Sequence, residues 1–208
     1  MNRKLISKSN YVLRKVLNNK ENLDIIQDII EAFLQIQIKK IKLNPYLKSK
    51  EKYLPEEENF GIADVRISTK EGKELNIGLQ FIDGYYIQNK MLLYYAQIHT
   101  NQLEHDENRK IVKTVTINLL DFEYLKSKEY HKKILIKDNF ENKKASEILE
   151  LHVIELPKFK KYITQLTKEA AWIMYFKGEN IKEIKTKFEK IEKLDFLIDK
   201  YWREEKME

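Results

Sequence analysis

Hydrophobic and polar positions alternate from Phe60 to Phe81, and this alternation predicts two β-strands joined by a short turn at Glu71-Gly72-Lys73. Side chains of a strand point alternately to its two faces, so each predicted strand has one apolar and one polar side. The apolar side carries Ala63, Val65, Ile67, Leu75, Ile77, Leu79 and Phe81. If both strands pack these residues on one core, then Asp64, Gly78 and Gln80 share the opposite face.

Helical and strand patterns flank this hairpin. Apolar residues at helical spacing predict an amphipathic helix from Leu23 to about Ile38 and a second helix from Tyr86 to Leu103, whose aromatic stripe favours a core role over base stacking. Further strands are predicted at Lys40–Leu43, Ile111–Leu120, Ile134–Ile136 and Leu151–Leu156, and charged helices follow from Phe159, ending in one run from Ile181 to Trp202. Because a long helix separates the hairpin from the next strand, we expect a crossover connection and a mixed sheet.

The amino-acid composition excludes some kinds of site but does not identify a function. The 208 residues are 42% hydrophobic and 35% charged, as in a water-soluble globular protein. The absence of cysteine excludes disulfides and thiolate zinc sites. The net charge of +6 mildly favours anionic partners, although lysines dispersed along a sequence are usually a solvated surface. No apolar run is long enough to span a bilayer, so we expect a cytoplasmic protein without a membrane partner.

An ordered set of segments carries a family resemblance: FGIADVR at 60–66, NIGLQ at 76–80, Tyr94-Tyr95-Ala96, and Thr100 to Leu103. The set resembles the PD-(D/E)XK nuclease family transposases, relatives of the recombination-promoting nucleases. The resemblance implies an α/β, restriction-endonuclease-like fold with a mixed central sheet flanked by helices. We accordingly expect a nuclease-like core at 1–157 and a helical C-terminal extension, packed on that core, at 158–208.

The resemblance also implies a metal site that acts on DNA. Asp64 would be the metal-bridging carboxylate, Gln80 would stand where many relatives have lysine, and Glu31 would be a second metal ligand from the first helix, around Mg²⁺ or Mn²⁺. From the residues alone, Asp64 equally suits a solvent-facing strand acid paired with Arg66, and Glu31 suits a solvated helix face.

Gly78 stands where the family motif has a carboxylate, and it is the main departure. Glycine offers no side-chain oxygen to a metal, and in a strand interior it gives up side-chain packing. Asp83 and Glu74 are the nearby acids that could compensate. Two functions therefore remain open: a metal-dependent endodeoxyribonuclease, weakened at this position, or a catalytically inactive nuclease fold that binds DNA or a protein partner, including a second copy of itself.

Overall fold

The computed structural model describes residues 5–44, 61–82, 86–105, 111–135, 149–160 and 166–204. The helices are α1 (Leu5–Leu17), α2 (Leu23–Leu34), α3 (Ile87–His105), α4 (Lys168–Lys177), α5 (Ile181–Lys187) and α6 (Glu189–Glu204). The strands are β1 (Ile38–Leu43), β2 (Ala63–Thr69), β3 (Glu74–Ile82), β4 (Lys113–Leu120), β5 (His131–Leu135) and β6 (Leu149–Glu155).

One mixed sheet holds these six strands in the order β1-β2-β3-β4-β6-β5. The pairs β1–β2, β2–β3 and β5–β6 are antiparallel, whereas β3–β4 and β4–β6 are parallel. The crossover from β3 to β4 runs through α3, as the spacing predicted. The restriction-endonuclease-like architecture, with the hairpin inside the sheet and helices at the C-terminus, is thus confirmed.

Two helix predictions were wrong in their boundaries. The α2 helix ends at Leu34 because Gln35 adopts a left-handed conformation with φ 53°, and its N–H donates to Glu31 O at 3.0 Å. Ile38 therefore begins β1 instead of ending a helix. The predicted run from 181 to 202 is two helices, since Phe188 between them has extended backbone. Ile136, expected to end a strand, lies outside the described residues.

The main core lies between one sheet face and the helices α1, α2, α4, α5 and α6. It unites the apolar side of β2 and β3 with residues from both ends of the chain, among them Val16, Ile29, Trp172, Leu194 and Ile198. The Trp172 indole N–H also donates to Asp28 Oδ2 of α2 at 2.9 Å. The C-terminal helices thus pack on the sheet and on the N-terminal helices alike, while the boundary at 157 stays a prediction.

A chain of hydrogen bonds joins α4 to the β5 edge of the sheet. Glu169 Oε1 lies 2.9 Å from His131 Nδ1, and His131 Nε2 lies 2.8 Å from His152 Nδ1. His152 Nε2 in turn lies 2.8 Å from Glu150 Oε1. Every ring nitrogen of both histidines has a partner, so this cluster ties the C-terminal helices to the sheet and leaves no imidazole nitrogen for another ligand.

The opposite sheet face is covered by α3, which packs on β3 and β4. Tyr94 of α3 also reaches β2, where its hydroxyl donates to Ala63 O at 3.1 Å. Among the described helices, none is long and apolar enough to cross a membrane.

Candidate functional site

A row of polar side chains lies on the sheet face beneath α3. The strand register places Asp64 opposite Gly78, Gly78 opposite Thr116, and Gln80 opposite Asn118. The predicted shared face of Asp64, Gly78 and Gln80 is therefore present. Buried polar residues of this layer are Asn44, Asp64, Asn76, Gln80, Asn101, Gln102, Thr114, Thr116 and Asn118. Burying polar side chains under a helix costs free energy unless they bond to one another. Because this layer contains Asp64, Gly78 and Gln80, it is the candidate site.

Asp64 is fully buried, with 0% of its surface exposed. Its Oδ1 accepts a long hydrogen bond of 3.4 Å from the Asn44 side-chain amide, and its Oδ2 has no partner. Burial raises the pKa of the Asp64 carboxyl to about 7, and the Asn44 hydrogen bond offsets only part of that increase. Burial therefore favours the protonated, uncharged form of Asp64 far more than it is favoured in an exposed carboxyl. Neither Arg66 nor solvent contacts this carboxylate, in contrast to the surface role that residue type alone suggested.

Gln80 is held by an amide network and not by a charge. Its Nε2 donates to Asn118 Oδ1 at 2.5 Å, while its Oε1 is buried without a partner. The Asn118 amide donates onward to Thr116 Oγ1 at 3.1 Å and to His152 O at 2.8 Å. Each bond is neutral, so the network positions Gln80 but supplies no cation to a reacting phosphate.

Gly78 lies directly beneath the ring of Tyr94. A Cβ atom at position 78 would lie 2.6 Å from the Tyr94 hydroxyl oxygen, 2.7 Å from its Cε1 and 2.8 Å from Ile98 Cδ1. A Cβ atom at Gly61 would lie 2.6 Å from Tyr94 Cε2. Two glycines thus allow one fully buried tyrosine to approach the sheet, and the hydroxyl donates to Ala63 O at 3.1 Å. Gly78 contributes no side chain of its own to this packing, and Tyr94 occupies the space above it.

Glu31 does not lie with Asp64. Its Oε1 accepts hydrogen bonds from the Ile38 backbone N–H at 2.8 Å and from Gln27 Nε2 at 3.1 Å. Ile38 pairs with Thr69, five residues along β2 from Asp64 and hence about 17 Å away. In addition, α2 packs on the opposite face of the sheet. Glu31 joins the end of α2 to the start of β1, and this arrangement does not support its predicted role as a metal ligand.

The side chains around Gly78 do not fit Mg²⁺ or Mn²⁺. Across the described ranges, no group of three or more His, Cys, Asp or Glu side chains could hold a metal ion. Mg²⁺ usually keeps several water molecules, and the space above Gly78, the residue that pairs with Asp64, is filled by Tyr94 and Ile98. Glu74, one acid that could compensate for Gly78, pairs with Arg66 at 3.1 Å near the start of β3. The other, Asp83, lies outside the described residues.

Sequence reasoning missed three members of this layer. Asn118 lies on β4 at the same alternate positions as Thr114 and Thr116, and this alternation of polar residues was a signal for a buried polar network. Asn44 bridges Asp64 and Asn76, and its side-chain amide donates to Asn76 Oδ1 at 2.9 Å. In the sequence it lies at a strand end before proline, a position typical of a turn residue. Tyr94 was predicted to be a core residue, which is confirmed, yet no local signal linked it to Gly78.

Comparison with known proteins supports the resemblance seen in the motifs. The family model for the PD-(D/E)XK nuclease family transposases matches residues 7–207, nearly the whole chain. No curated protein and no solved structure matches significantly. The family match, the six-stranded mixed sheet and the shared face of Asp64 and Gln80 agree. The chain belongs to the PD-(D/E)XK nuclease family transposases.

Proposed function

We propose that this chain is a catalytically inactive member of its family that keeps the nuclease fold and binds DNA. The observation that carries this proposal is the position of Tyr94, whose ring fills the space above Gly78 where the family motif has a carboxylate. Replacement of an acid by glycine could weaken metal binding and still leave an open site. Here the Tyr94 ring occupies that space. Both the carboxylate ligand and the cavity that would hold a metal are therefore missing.

The state of Asp64 supports loss of cleavage by a separate route. Without a cation beside it, burial raises the pKa of the Asp64 carboxyl to about 7, so near neutral pH a metal ion would have to displace a proton in order to bind. Its partner in the layer is an uncharged amide, and Gln80 bonds to another amide. Phosphodiester hydrolysis also needs an attacking water beside the metal, and Asp64 and Gln80 are both 0% exposed.

DNA binding rests on family membership and on charge. The chain has 39 Lys and Arg residues against 33 Asp and Glu residues, a net charge of +6. Contacts of lysine with phosphates are independent of sequence and of any catalytic site. Loss of cleavage therefore does not entail loss of binding.

Supercoiled plasmid provides the test of this proposal. The natural chain and Asp64→Asn are incubated with plasmid in Mg²⁺ and in Mn²⁺, and DNA binding is followed by fluorescence anisotropy in the same buffers without metal. We expect both proteins to bind DNA and neither to nick plasmid above the level seen in EDTA. Metal-dependent nicking that Asp64→Asn abolishes would refute the inactive assignment.

A metal-dependent endodeoxyribonuclease is the second candidate. The observation in its favour is that Asp64 Oδ2 and Gln80 Oε1 are both buried without partners on one sheet face. Unpartnered buried oxygens are costly, and an active site is one place where they are retained. In this candidate, cleavage requires displacement of Tyr94, so Tyr94→Ala should increase nicking. If Tyr94→Ala is folded and as inactive as the natural chain, the second candidate fails.

A further inference from the structure

Five lysines and one arginine lie close together at one edge of the sheet. The exposed surface of β1 and of the β2–β3 hairpin is termed the basic edge, and its cations are Lys39, Lys40, Lys42, Arg66, Lys70 and Lys73. Two carboxylates accompany these six cations, Glu71 and Glu74. The net charge of this edge is therefore +4, against +6 for the whole chain.

The strand register makes the basic edge continuous. Lys42 pairs with Arg66 across β1 and β2, and Lys40 pairs with Ser68. The Lys70 backbone N–H donates to Gln37 O at 2.9 Å, which holds the hairpin end against the start of β1. Lys40 and Lys42 lie two residues apart on one face, so their Cα atoms are separated by about 6.8 Å. The side chains of Lys40 and Lys42 are exposed among the described residues, so they can reach a partner.

Several lysines elsewhere on the molecule form ion pairs. Ion pairs join Lys113 and Lys133 to Glu150, Lys158 to Glu155, Lys168 to Asp28, Lys185 to Asp195, and Lys190 and Lys193 to Asp24. Within the described parts of the chain, the five lysines of the basic edge have no carboxylate within 4.0 Å. Arg66 is the cation there that pairs, with Glu74.

Lysine on an edge strand has an ordinary explanation, since it prevents strands of two molecules from pairing. The opposite edge of the sheet tests that explanation. On β5, Lys132 pairs with Glu129, and Lys133 pairs with Glu150 at 2.6 Å. Lysines that protect an edge strand from pairing with another molecule can therefore also form ion pairs. Lys39, Lys40 and Lys42 of β1 form no ion pair within the described residues, whereas Glu71 lies between Lys70 and Lys73 and interacts electrostatically with both. The excess positive charge at β1 suits a polyanionic partner.

We propose that the basic edge is the docking surface for the phosphate backbone of DNA. This inference rests on the proposed DNA binding and assigns it to a particular surface. Duplex DNA carries one negative charge per about 1.7 Å of axis, and β1, about 20 Å long, matches a stretch with many phosphates. The contacts are lysine ammonium groups and phosphates, so binding is independent of base sequence and separate from the buried layer of Asp64 and Gln80.

The experiment compares two double variants with equal loss of charge. Lys40→Gln/Lys42→Gln removes two cations from the basic edge. Lys126→Gln/Lys128→Gln removes two exposed cations from the segment before β5, at the opposite edge, where neither lysine has an ion pair within the described ranges. Binding to a labelled duplex of about 20 base pairs is measured over a range of salt concentrations. Circular dichroism and thermal unfolding check that each variant is folded.

We expect Lys40→Gln/Lys42→Gln to reduce the slope of log K against log[salt] by about 2, because each lost phosphate contact changes the slope by about 0.9. Affinity near 0.1 M salt should fall roughly tenfold or more. The Lys126→Gln/Lys128→Gln control should keep the slope and affinity of the natural chain.

The outcomes separate this inference from the function on which it rests. If the natural chain fails to bind duplex DNA even at low salt, the proposed DNA binding is wrong and the docking surface fails with it. If the chain binds and both double variants keep its salt slope, DNA binding stands but the basic edge is not its surface. Binding to vesicles rich in anionic lipid without binding to duplex DNA would also overturn the assignment.

Discussion

Replacing Asp64 with asparagine should stabilise the protein increasingly as pH rises. The carboxyl is fully buried, with an unpartnered Oδ2, and burial raises its pKa from 3.8 to about 7. Asparagine has nearly the same shape and never ionises. Its oxygen can accept the Asn44 hydrogen bond.

The sign and size of the effect follow from proton linkage. Between pH 4 and pH 7, roughly, the folded state holds the Asp64 proton more tightly than the unfolded state does, so the free energy of unfolding falls as pH rises. A difference of about 3 pKa units corresponds to about 4 kcal/mol, which is reached in full above pH 7. Between pH 5 and pH 8, the stability of Asp64→Asn relative to the natural chain should therefore grow by about 3 kcal/mol.

Urea unfolding of both proteins at pH 5, 6, 7 and 8 measures this quantity. Other titrating groups contribute equally to both chains, so the difference between their unfolding free energies isolates Asp64. If the difference in unfolding free energy stays constant across these pH values, Asp64 is not a buried carboxyl with a raised pKa. A natural chain that gains stability relative to Asp64→Asn as pH rises would show that a cation or additional donors stabilise the ionised form.

Three further changes test other parts of the structure. Gly78→Ala should cost about 1–3 kcal/mol in urea unfolding, since its Cβ would crowd the Tyr94 ring, and Tyr94→Leu in the same chain should recover part of that loss; an unchanged Gly78→Ala would show that the ring is not held there. Glu31→Ala should lower stability by about 1–3 kcal/mol by leaving the first N–H of β1 unsatisfied, with no change in DNA binding, whereas impaired binding would return this residue to the functional site. Burial opposes ionisation of Glu150, but hydrogen bonds from His152 and two lysines outweigh it and hold the pKa of Glu150 well below its usual range. Its stabilising effect is present above about pH 4.5 and lost as pH falls further, so Glu150→Gln should be less stable than the natural chain at pH 7 and approach it in acid; a gap independent of pH would contradict this.

The faces of the hairpin could be predicted from the sequence because side-chain direction in a strand depends only on position. Asp64, Gly78 and Gln80 fall on one face whatever packs above them. Helix boundaries that depend on a single backbone angle were harder to predict from the sequence. Gln35 ends α2 in a left-handed conformation, although glutamine carries no strong preference for it.

The closed site could not be predicted because it depends on the approach of one element to another. Tyr94 reaches Gly78 only because α3 lies close to β3 and because Gly61 makes room on the other side of the ring. The glycines are separated from the tyrosine in sequence, and each alone has an ordinary explanation. The basic edge escaped detection for a similar reason, since β1 and the hairpin are neighbours in the sheet but not in sequence.

A crystal structure determined after soaking in Mn²⁺, at a pH of about 8 where Asp64 is ionised, decides whether the site is closed. Anomalous scattering from Mn²⁺ locates the ion independently of the protein atoms. We expect the Tyr94 ring to remain between Gly61 and Gly78, with no anomalous peak on Asp64. A Mn²⁺ peak bound to Asp64, with the Tyr94 ring moved away from Gly78, would contradict the closed site and favour an active endonuclease.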